Sequence, residues 1–141
     1  MKKYDFDKEQ VDRIMKCANE SIREMNERKA GCVACVFTSV SEDTGKPTKE
    51  SDALMTSILS IVRKNLEKLG YFVLFARSND GDFVVYIAKE LFYIDMINTL
   101  LDMRPRLSSS VYIGLMGKVL GLSDQEIKDE IGNSDDVEED D

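Results

Sequence analysis

The chain's clearest β pattern lies in residues 71–89, which read Tyr71-Phe-Val-Leu-Phe-Ala-Arg77, Ser78-Asn-Asp-Gly81 and Asp82-Phe-Val-Val-Tyr-Ile-Ala-Lys89. Two runs of aromatic and β-branched residues flank a short polar segment, which is the pattern of a β-hairpin. Asp80 and Gly81 suit the two central positions of a type I′ turn, because Gly adopts a positive φ freely and Asp tolerates one better than most residues. We therefore predict a hairpin over residues 71–88.

A two-residue turn at Asp80-Gly81 would fix how the two strands pair. Residues whose numbers add to 161 would lie opposite each other, with Leu74 beside Ile87 on one face and Phe75 beside Tyr86 on the other. Both faces are then apolar, whereas a hairpin with one wet face would alternate apolar and polar residues. Each face must be covered, either by helices of this chain or by a partner.

The composition fits a single compact domain. The chain has 141 residues, of which 43% are hydrophobic and 33% are charged, enough for one core. The sequence has neither a signal peptide's apolar region nor a membrane-spanning run, so we expect a soluble, cytoplasmic protein. Three cysteines, Cys17, Cys32 and Cys35, cannot form a complete disulfide framework, and we interpret them as small buried hydrophobic residues.

The net charge of -8 is concentrated near the C-terminus. Residues 133–141 hold six of the 27 acids and no base, which leaves 21 acids against 19 bases in the rest of the chain. We predict a disordered acidic tail there, with candidate acidic contacts at Asp135, Asp136, Glu138 and Glu139. The nearly neutral body disfavours a DNA mimic and a general affinity for duplex DNA.

Residues outside the hairpin predict helices and one more strand. The predicted helices cover about 5–29, 51–69, 91–103, 108–120 and 124–131, and the predicted strand covers 32–38, ahead of a polar loop over 41–50. The fold class is therefore α+β, in the order α-β-α-β-β-α-α-α. A small antiparallel sheet, made of the hairpin and strand 32–38, is covered by amphipathic helices. Residues 1–132 form this single domain, which ends in a C-terminal helical pair, and residues 133–141 form the tail.

The helix predicted over residues 91–103 is unusually apolar. Its polar residues, Asp95, Asn98, Thr99 and Asp102, form one narrow stripe. We expect this helix to be buried on most sides, either as the central helix of the domain or as half of a dimer interface. Together with the two apolar hairpin faces, it indicates a surplus of apolar surface and hence self-association as a dimer.

Residues 116–127 have the spacing of a helix-turn-helix, with Gly117 where two helices would cross closely and Gly121 in the turn. Ser123 and Glu126 form a capping-box pattern that predicts a new helix start. The second helix would present several acids and a single Lys128, so it would repel phosphates. We interpret the pair as a plain helical corner.

Catalytic and metal-binding patterns are weak. Cys32 and Cys35 match C-x-x-C, but in a strand their side chains point to opposite faces. The chain has no histidine, which removes the commonest general base and most zinc sites. The segment 44–48 fails the phosphate-loop pattern, and the carboxylate pairs Asp80 with Asp82 and Asp95 with Asp102 fit a turn and a solvated stripe. We predict no catalytic, cofactor-binding or metal-binding residues.

These patterns favour a non-catalytic regulatory protein that binds another protein, as an adaptor or an inhibitor of the kind found among viral and mobile-element accessory factors. The alternative is a nucleic-acid or nucleotide binder, or a helix-turn-helix-like regulator, and an enzyme of unfamiliar type is a third hypothesis. The candidate ligand or partner contacts are Arg77, Arg104, Arg106 and Lys118. The expected partners are another protein or a second copy of the chain, with no membrane contact.

Overall fold

The computed structural model describes residues 8–39, 44–78 and 80–134. The elements are α1 (Lys8–Glu27), β1 (Cys32–Phe37), α2 (Lys49–Lys68), β2 (Phe72–Arg77), β3 (Phe83–Ala88), α3 (Leu91–Met103), α4 (Ser109–Val119) and α5 (Asp124–Ser134). A 3₁₀ turn, Arg104–Arg106, connects α3 to α4. The predicted α+β class and the predicted order of helices and strands are confirmed.

The strands of the described residues form one antiparallel sheet with the order β1-β3-β2. β3 is central and pairs along both edges, with Cys32 of β1 and Phe72 of β2 both opposite Ala88. At the other end, Phe37 and Arg77 both lie opposite Phe83. The hairpin thus gains the third strand that an isolated hairpin needs for stability.

The predicted register of the hairpin is wrong by one residue. The numbers of paired residues add to 160, so Leu74 lies opposite Tyr86 and Phe75 lies opposite Val85. The one-residue shift puts Leu74 and Tyr86 on the same face and exchanges every partner across the hairpin.

The length of the turn explains this shift. The Ser78 N–H donates to the Asp82 carbonyl at 3.0 Å, and the Gly81 N–H donates to the Ser78 carbonyl at 3.0 Å. Three residues, rather than two, therefore separate the last hydrogen-bonded pair. Gly81 has φ of +88°, as expected for the left-handed residue that closes a three-residue hairpin loop.

Helices of the same chain cover both faces of the sheet. On the first face, Val85 and Ile87 of β3 belong to a core with residues of α1 and α2, including the fully buried Met25 and Leu66. On the second face, Tyr86 and Ala88 belong to a core with residues of α3 and α4. The buried members from α3 and α4 are Ile97, Leu100, Met116 and Val119. Full burial of one Val or Ile stabilises the fold by about 1.5–3 kcal/mol, so the core on each face of the sheet contributes a large stabilising free energy.

α2 begins two residues earlier than the sequence predicts. Thr48 is its N-cap: the Ser51 N–H donates to Thr48 Oγ1 at 3.0 Å, and the Thr48 N–H donates to Ser51 Oγ at 2.8 Å. This is a capping box that uses Ser where Glu or Gln is more usual. Residues 5–7 of the first predicted helix lie outside the described residues.

The C-terminal pair starts as predicted and ends later. The Glu126 N–H donates to Ser123 Oγ at 3.1 Å and the Ser123 N–H donates to Glu126 Oε1 at 2.8 Å, which confirms the capping box. A Cβ placed on Gly117 would lie 2.7 Å from Ile127 Cγ1, so α4 and α5 cross closely there, as predicted.

α5 extends to Ser134, beyond the predicted end at residue 131 and into the first two residues of the predicted tail. The rest of that tail, residues 135–141, lies outside the described residues. Its disorder, and the acidic contacts at Asp135, Asp136, Glu138 and Glu139, stay predictions.

We expect Gly81→Val to destabilise the protein by about 1–2 kcal/mol, because a β-branched residue resists the positive φ at this position. The measurement is the denaturant midpoint of unfolding. Gly114→Ala is the matched control: Gly114 is helical, and an added Cβ there meets no atom within 4 Å, so this variant should be neutral or slightly more stable. An unchanged midpoint for Gly81→Val would contradict the left-handed conformation of residue 81 in the hairpin loop.

Candidate functional site

Exposed large apolar side chains concentrate on α3 and α4. Within the described residues eight such side chains are exposed, and five of them belong to these two helices. The five are Leu91, Phe92, Met103, Val111 and Leu115, which are 39–58% exposed. The other three, Val36, Leu69 and Phe72, belong to three different elements or their ends. Single exposed apolar side chains are ordinary, whereas a grouped set on two neighbouring helices makes this side of the protein a candidate interaction surface.

A groove lies between the outer sides of α3 and α4 and has a volume of about 500 Å³. We call it the α3–α4 groove. Its lining residues are Phe92, Asp95, Met96, Thr99, Leu100, Leu115, Lys118 and Val119. Phe92 near the start of α3 shares the groove with Lys118 and Val119 at the end of α4, so the two helices run antiparallel. Leu100 and Val119 are buried while Phe92 and Leu115 are exposed, which gives an apolar groove open to solvent.

α3 is not buried on most sides, which corrects the prediction from its apolar sequence. Its Ile97 and Leu100 side chains are buried against the second face of the sheet, but Leu91, Phe92 and Met103 remain exposed. The reason is its position: α3 contacts the sheet and α4, and no other described element covers its outer side. The role of α3 as half of a dimer interface stays a prediction.

A second hollow, of about 540 Å³, lies along the exposed side of α1. Its lining residues are Asp12, Met15, Lys16, Asn19, Glu20 and Arg23. All of them come from one helix, so the hollow has no opposing wall, and its charges are of both signs. A solvated helix face accounts for these features.

Arg77 and Arg104 are both engaged with aromatic rings. The Arg77 guanidinium lies 4.0 Å from the centre of the Phe83 ring, and its Nη2 donates to the Gly81 carbonyl at 2.6 Å. The Arg104 guanidinium lies 5.0 Å from the centre of the Tyr112 ring. Arg77 thus braces the hairpin turn on the first face, while Arg104 packs on α4 at the second face.

The four predicted basic contacts do not form a common surface. The Cys32 thiol donates to the Val119 carbonyl at 2.8 Å, which places Lys118 at the Cys32–Ala88 end of the sheet. Arg77 lies at the other end, about 17 Å away along a six-residue strand. Arg104 packs on Tyr112 of α4 at the second face, and Arg106 follows it in the turn between α3 and α4.

Tyr86 and Tyr112 interact with each other beside Arg104, and no pattern in the sequence singled this pair out. Burial raises the pKa of Tyr86 to about 12, with a smaller effect from Tyr112 and an opposing one from Arg104. Burial also raises the pKa of Tyr112. Both phenols stay protonated in neutral solution, so this pair is suited to hydrogen bonding in the core and not to acting as a general base.

The two cysteines of the C-x-x-C pattern face opposite layers, as predicted. Cys32 belongs to the core of the second face and Cys35 to that of the first. Burial raises the pKa of the Cys32 thiol to about 11 and also raises the pKa of Cys35. Because the thiolate is the reactive form, neither buried thiol is activated for redox chemistry. Cys17 is exposed on α1, so the interpretation of all three cysteines as buried residues is wrong for Cys17. The part of the chain that the structure describes holds no cluster of three or more His, Cys, Asp or Glu side chains that could bind a metal.

The paired carboxylates have separate structural positions. Asp82 accepts a hydrogen bond from the Thr38 hydroxyl at 2.9 Å and so ties the hairpin turn to the end of β1. Asp95 lines the α3–α4 groove, and Asp102 is exposed further along α3. These placements match the predicted turn and solvated stripe.

α5 is anchored to the first layer through one ion pair. Arg28 Nη1, just after α1, lies 2.9 Å from Glu126 Oε2 and 3.0 Å from Glu126 Oε1. The same carboxylate accepts a hydrogen bond from the Ser123 N–H. Glu126 therefore completes the capping box of α5 and also connects the start of α5 to the end of α1. Asp124 and Asp129 are exposed on this helix, and its repulsion of phosphates stays a prediction.

Comparison of the chain with protein-family models, curated proteins and solved structures finds no match. Over residues 8–39, 44–78 and 80–134, no helix has the length and apolarity that crossing a membrane requires.

The Glu126 contacts predict a pH dependence of stability. The Ser123 N–H and the Arg28 guanidinium hold the pKa of Glu126 below its ordinary value of 4.5. The carboxylate therefore stabilises the folded state above its unfolded-state pKa, and this contribution is lost as the pH falls through the lower folded-state pKa. We expect Glu126→Gln to lower the denaturant midpoint at neutral pH. The difference in midpoint between this variant and the wild type should shrink as the pH falls below the ordinary glutamate pKa and through the folded-state pKa of Glu126.

Glu130→Gln is the control, because it removes one exposed carboxylate from the same helix without removing the Ser123 or Arg28 contact. Its difference from wild type should be smaller at neutral pH. A Glu126→Gln difference that stays constant as the solution is acidified would contradict the assigned role of the carboxylate.

Proposed function

We propose that this protein is a non-catalytic regulator, an adaptor or inhibitor, that binds another protein through the outer side of α3 and α4. The observation that carries the proposal is the grouping of five exposed large apolar side chains on these two helices, next to an apolar groove of about 500 Å³. Apolar surface of this extent is favourable to cover and unfavourable to leave in water.

Phe92 and Leu115 are the expected anchors of binding. Phe92 is 58% exposed and Leu115 is 42% exposed, and both line the groove. Removing about 100 Å² of apolar surface from water contributes about 2.5 kcal/mol, so two such side chains can supply a large part of a micromolar affinity. Aromatic residues in desolvated pockets are frequent hot spots of this kind.

The groove suits a helical segment of the partner. Two antiparallel helices with an apolar floor between them accept the apolar face of a third helix. Asp95, Thr99 and Lys118 lie among the lining residues and supply acceptors and donors that can orient such a segment. A second copy of the chain, the other partner that the sequence predicts, has the same surface available.

Binding of a nucleic acid or nucleotide has less support. Arg77 and Arg104 each pack on an aromatic ring of the chain itself, and Lys118 lies at the opposite end of the sheet from Arg77. Phosphate binding gains strength from several cations that act on one surface. The described residues favour protein binding over this alternative.

The test compares capture of proteins from a bacterial lysate by the wild type, Leu115→Glu and Leu69→Glu, quantified by mass spectrometry. Leu69 is the matched control, because it is 62% exposed but ends α2 on the other side of the sheet. A partner of the α3–α4 groove should bind the wild type and Leu69→Glu alike, and bind Leu115→Glu about 30-fold more weakly, as for loss of a hot spot.

Circular dichroism melts of the three proteins check that each variant is folded. If every captured protein binds Leu115→Glu as well as it binds the wild type, the α3–α4 groove is not the binding surface and the proposal is wrong.

A further inference from the structure

The outward stripes of α3 and α4 share one helical spacing. The α3 stripe is Phe92, Met96, Thr99 and Met103, and the α4 stripe is Val111, Leu115 and Lys118. Met96 is partly buried and also packs against the core of the second face. Successive members are four and three residues apart, which is the spacing with which helices pack lengthwise at a shallow angle. Each stripe is mostly apolar and carries one polar position, Thr99 or Lys118. A second pair of helices with the same two stripes is a surface that matches this spacing.

We propose that the occupant of the α3–α4 groove is the α3–α4 pair of a second copy of this chain. The two pairs pack face to face as a four-helix bundle about a two-fold axis. This inference rests on the proposed function, since it names the partner of the same surface. A two-fold interface uses one patch on both subunits, so the patch must be complementary to itself. The apolar stripes meet that condition.

The charges at the groove meet the same condition. Asp95 on α3 and Lys118 on α4 line the same groove. With the two-fold axis parallel to the helices, α3 of one copy lies beside α4 of the other at the same level. Asp95 then faces Lys118 of the second copy, and the reverse pair forms as well.

An axis perpendicular to the helices would be unfavourable. It would stack α4 on α4 and bring Lys118 of one copy to the start of the other copy's α4, where Arg104 packs on Tyr112 and Arg106 lies in the preceding turn. Like charges opposed across an interface cost binding free energy. Lys118 can turn to a partner across the interface, because its contact with Asp124 is 3.9 Å long and both side chains are more than two-thirds exposed. The charges therefore select the axis parallel to the helices.

The exposed apolar area agrees with what a dimer needs. Large side chains present on the order of 200 Å² each, so five that are roughly half exposed offer on the order of 500 Å². A standard interface buries about 800 Å² per subunit, of which about 60% is apolar. The two amounts are similar.

The first test is sedimentation equilibrium over a range of micromolar concentrations. The wild type and Leu69→Glu should reach twice the single-chain mass of 16.0 kDa, and Leu115→Glu should stay at the single-chain mass. Circular dichroism confirms that Leu115→Glu is folded, as expected for a side chain that is 42% exposed.

The second test exchanges the charges. Asp95→Lys alone and Lys118→Asp alone each oppose like charges twice per dimer and should weaken association about tenfold. In an equimolar mixture of the two variants, a dimer with one chain of each again joins one lysine to one aspartate at both contacts. The mixture should therefore associate as the wild type does.

The possible outcomes distinguish an error in the proposed partner from an error in the proposed surface. If the wild type stays at 16.0 kDa throughout, a second copy is not the occupant, and a captured protein that depends on Leu115 would still support the proposed function. A dimer that Leu115→Glu leaves intact places the interface elsewhere and overturns the proposal. Failure of the mixture to recover association overturns the two-fold arrangement.

Discussion

The structure depends on a central strand that has no polar face. β3 pairs along both edges, and Val85, Tyr86, Ile87 and Ala88 are all at most 7% exposed although they alternate between the two faces. A strand of this kind needs a layer on each side. α1 and α2 supply one layer and α3 and α4 the other, so the second pair is held by its inner side while its outer side is left to solvent. The candidate binding surface is thus a consequence of the way the chain covers its own sheet.

Local signals in the sequence were enough to predict the elements but not the pairing of the hairpin. The aromatic and β-branched runs around Gly81, and the Ser123–Glu126 capping box, act over a few residues and are visible without the fold. The register depends on one residue of loop length, and a Gly in the left-handed region fits both a two-residue and a three-residue loop. Thr48 was missed as an N-cap for a similar reason, because its partner Ser51 is not the usual Glu or Gln.

The candidate site was only partly predictable. The apolar character of residues 91–103 is plain in the sequence, but whether α3 is covered depends on where the other helices lie, which no local pattern encodes. Phe92 and Leu115 were not singled out, since an apolar residue on an apolar helix is most often buried. The four basic residues were predicted as contacts from charge alone. Their positions differ because Arg77 stacks on Phe83 and Arg104 on Tyr112, which only the tertiary structure brings together.

Amide hydrogen exchange at increasing protein concentration tests most directly whether the chain covers its own sheet and leaves the α3–α4 side for a partner. We expect the amides of residues 83–88 to be strongly protected at every concentration, because the helices of the same chain bury them. Amides of α3 and α4 should gain protection as the concentration rises. Protection of residues 83–88 that itself rises with concentration would show that a second chain covers the sheet, and would contradict the three-layer arrangement within one chain.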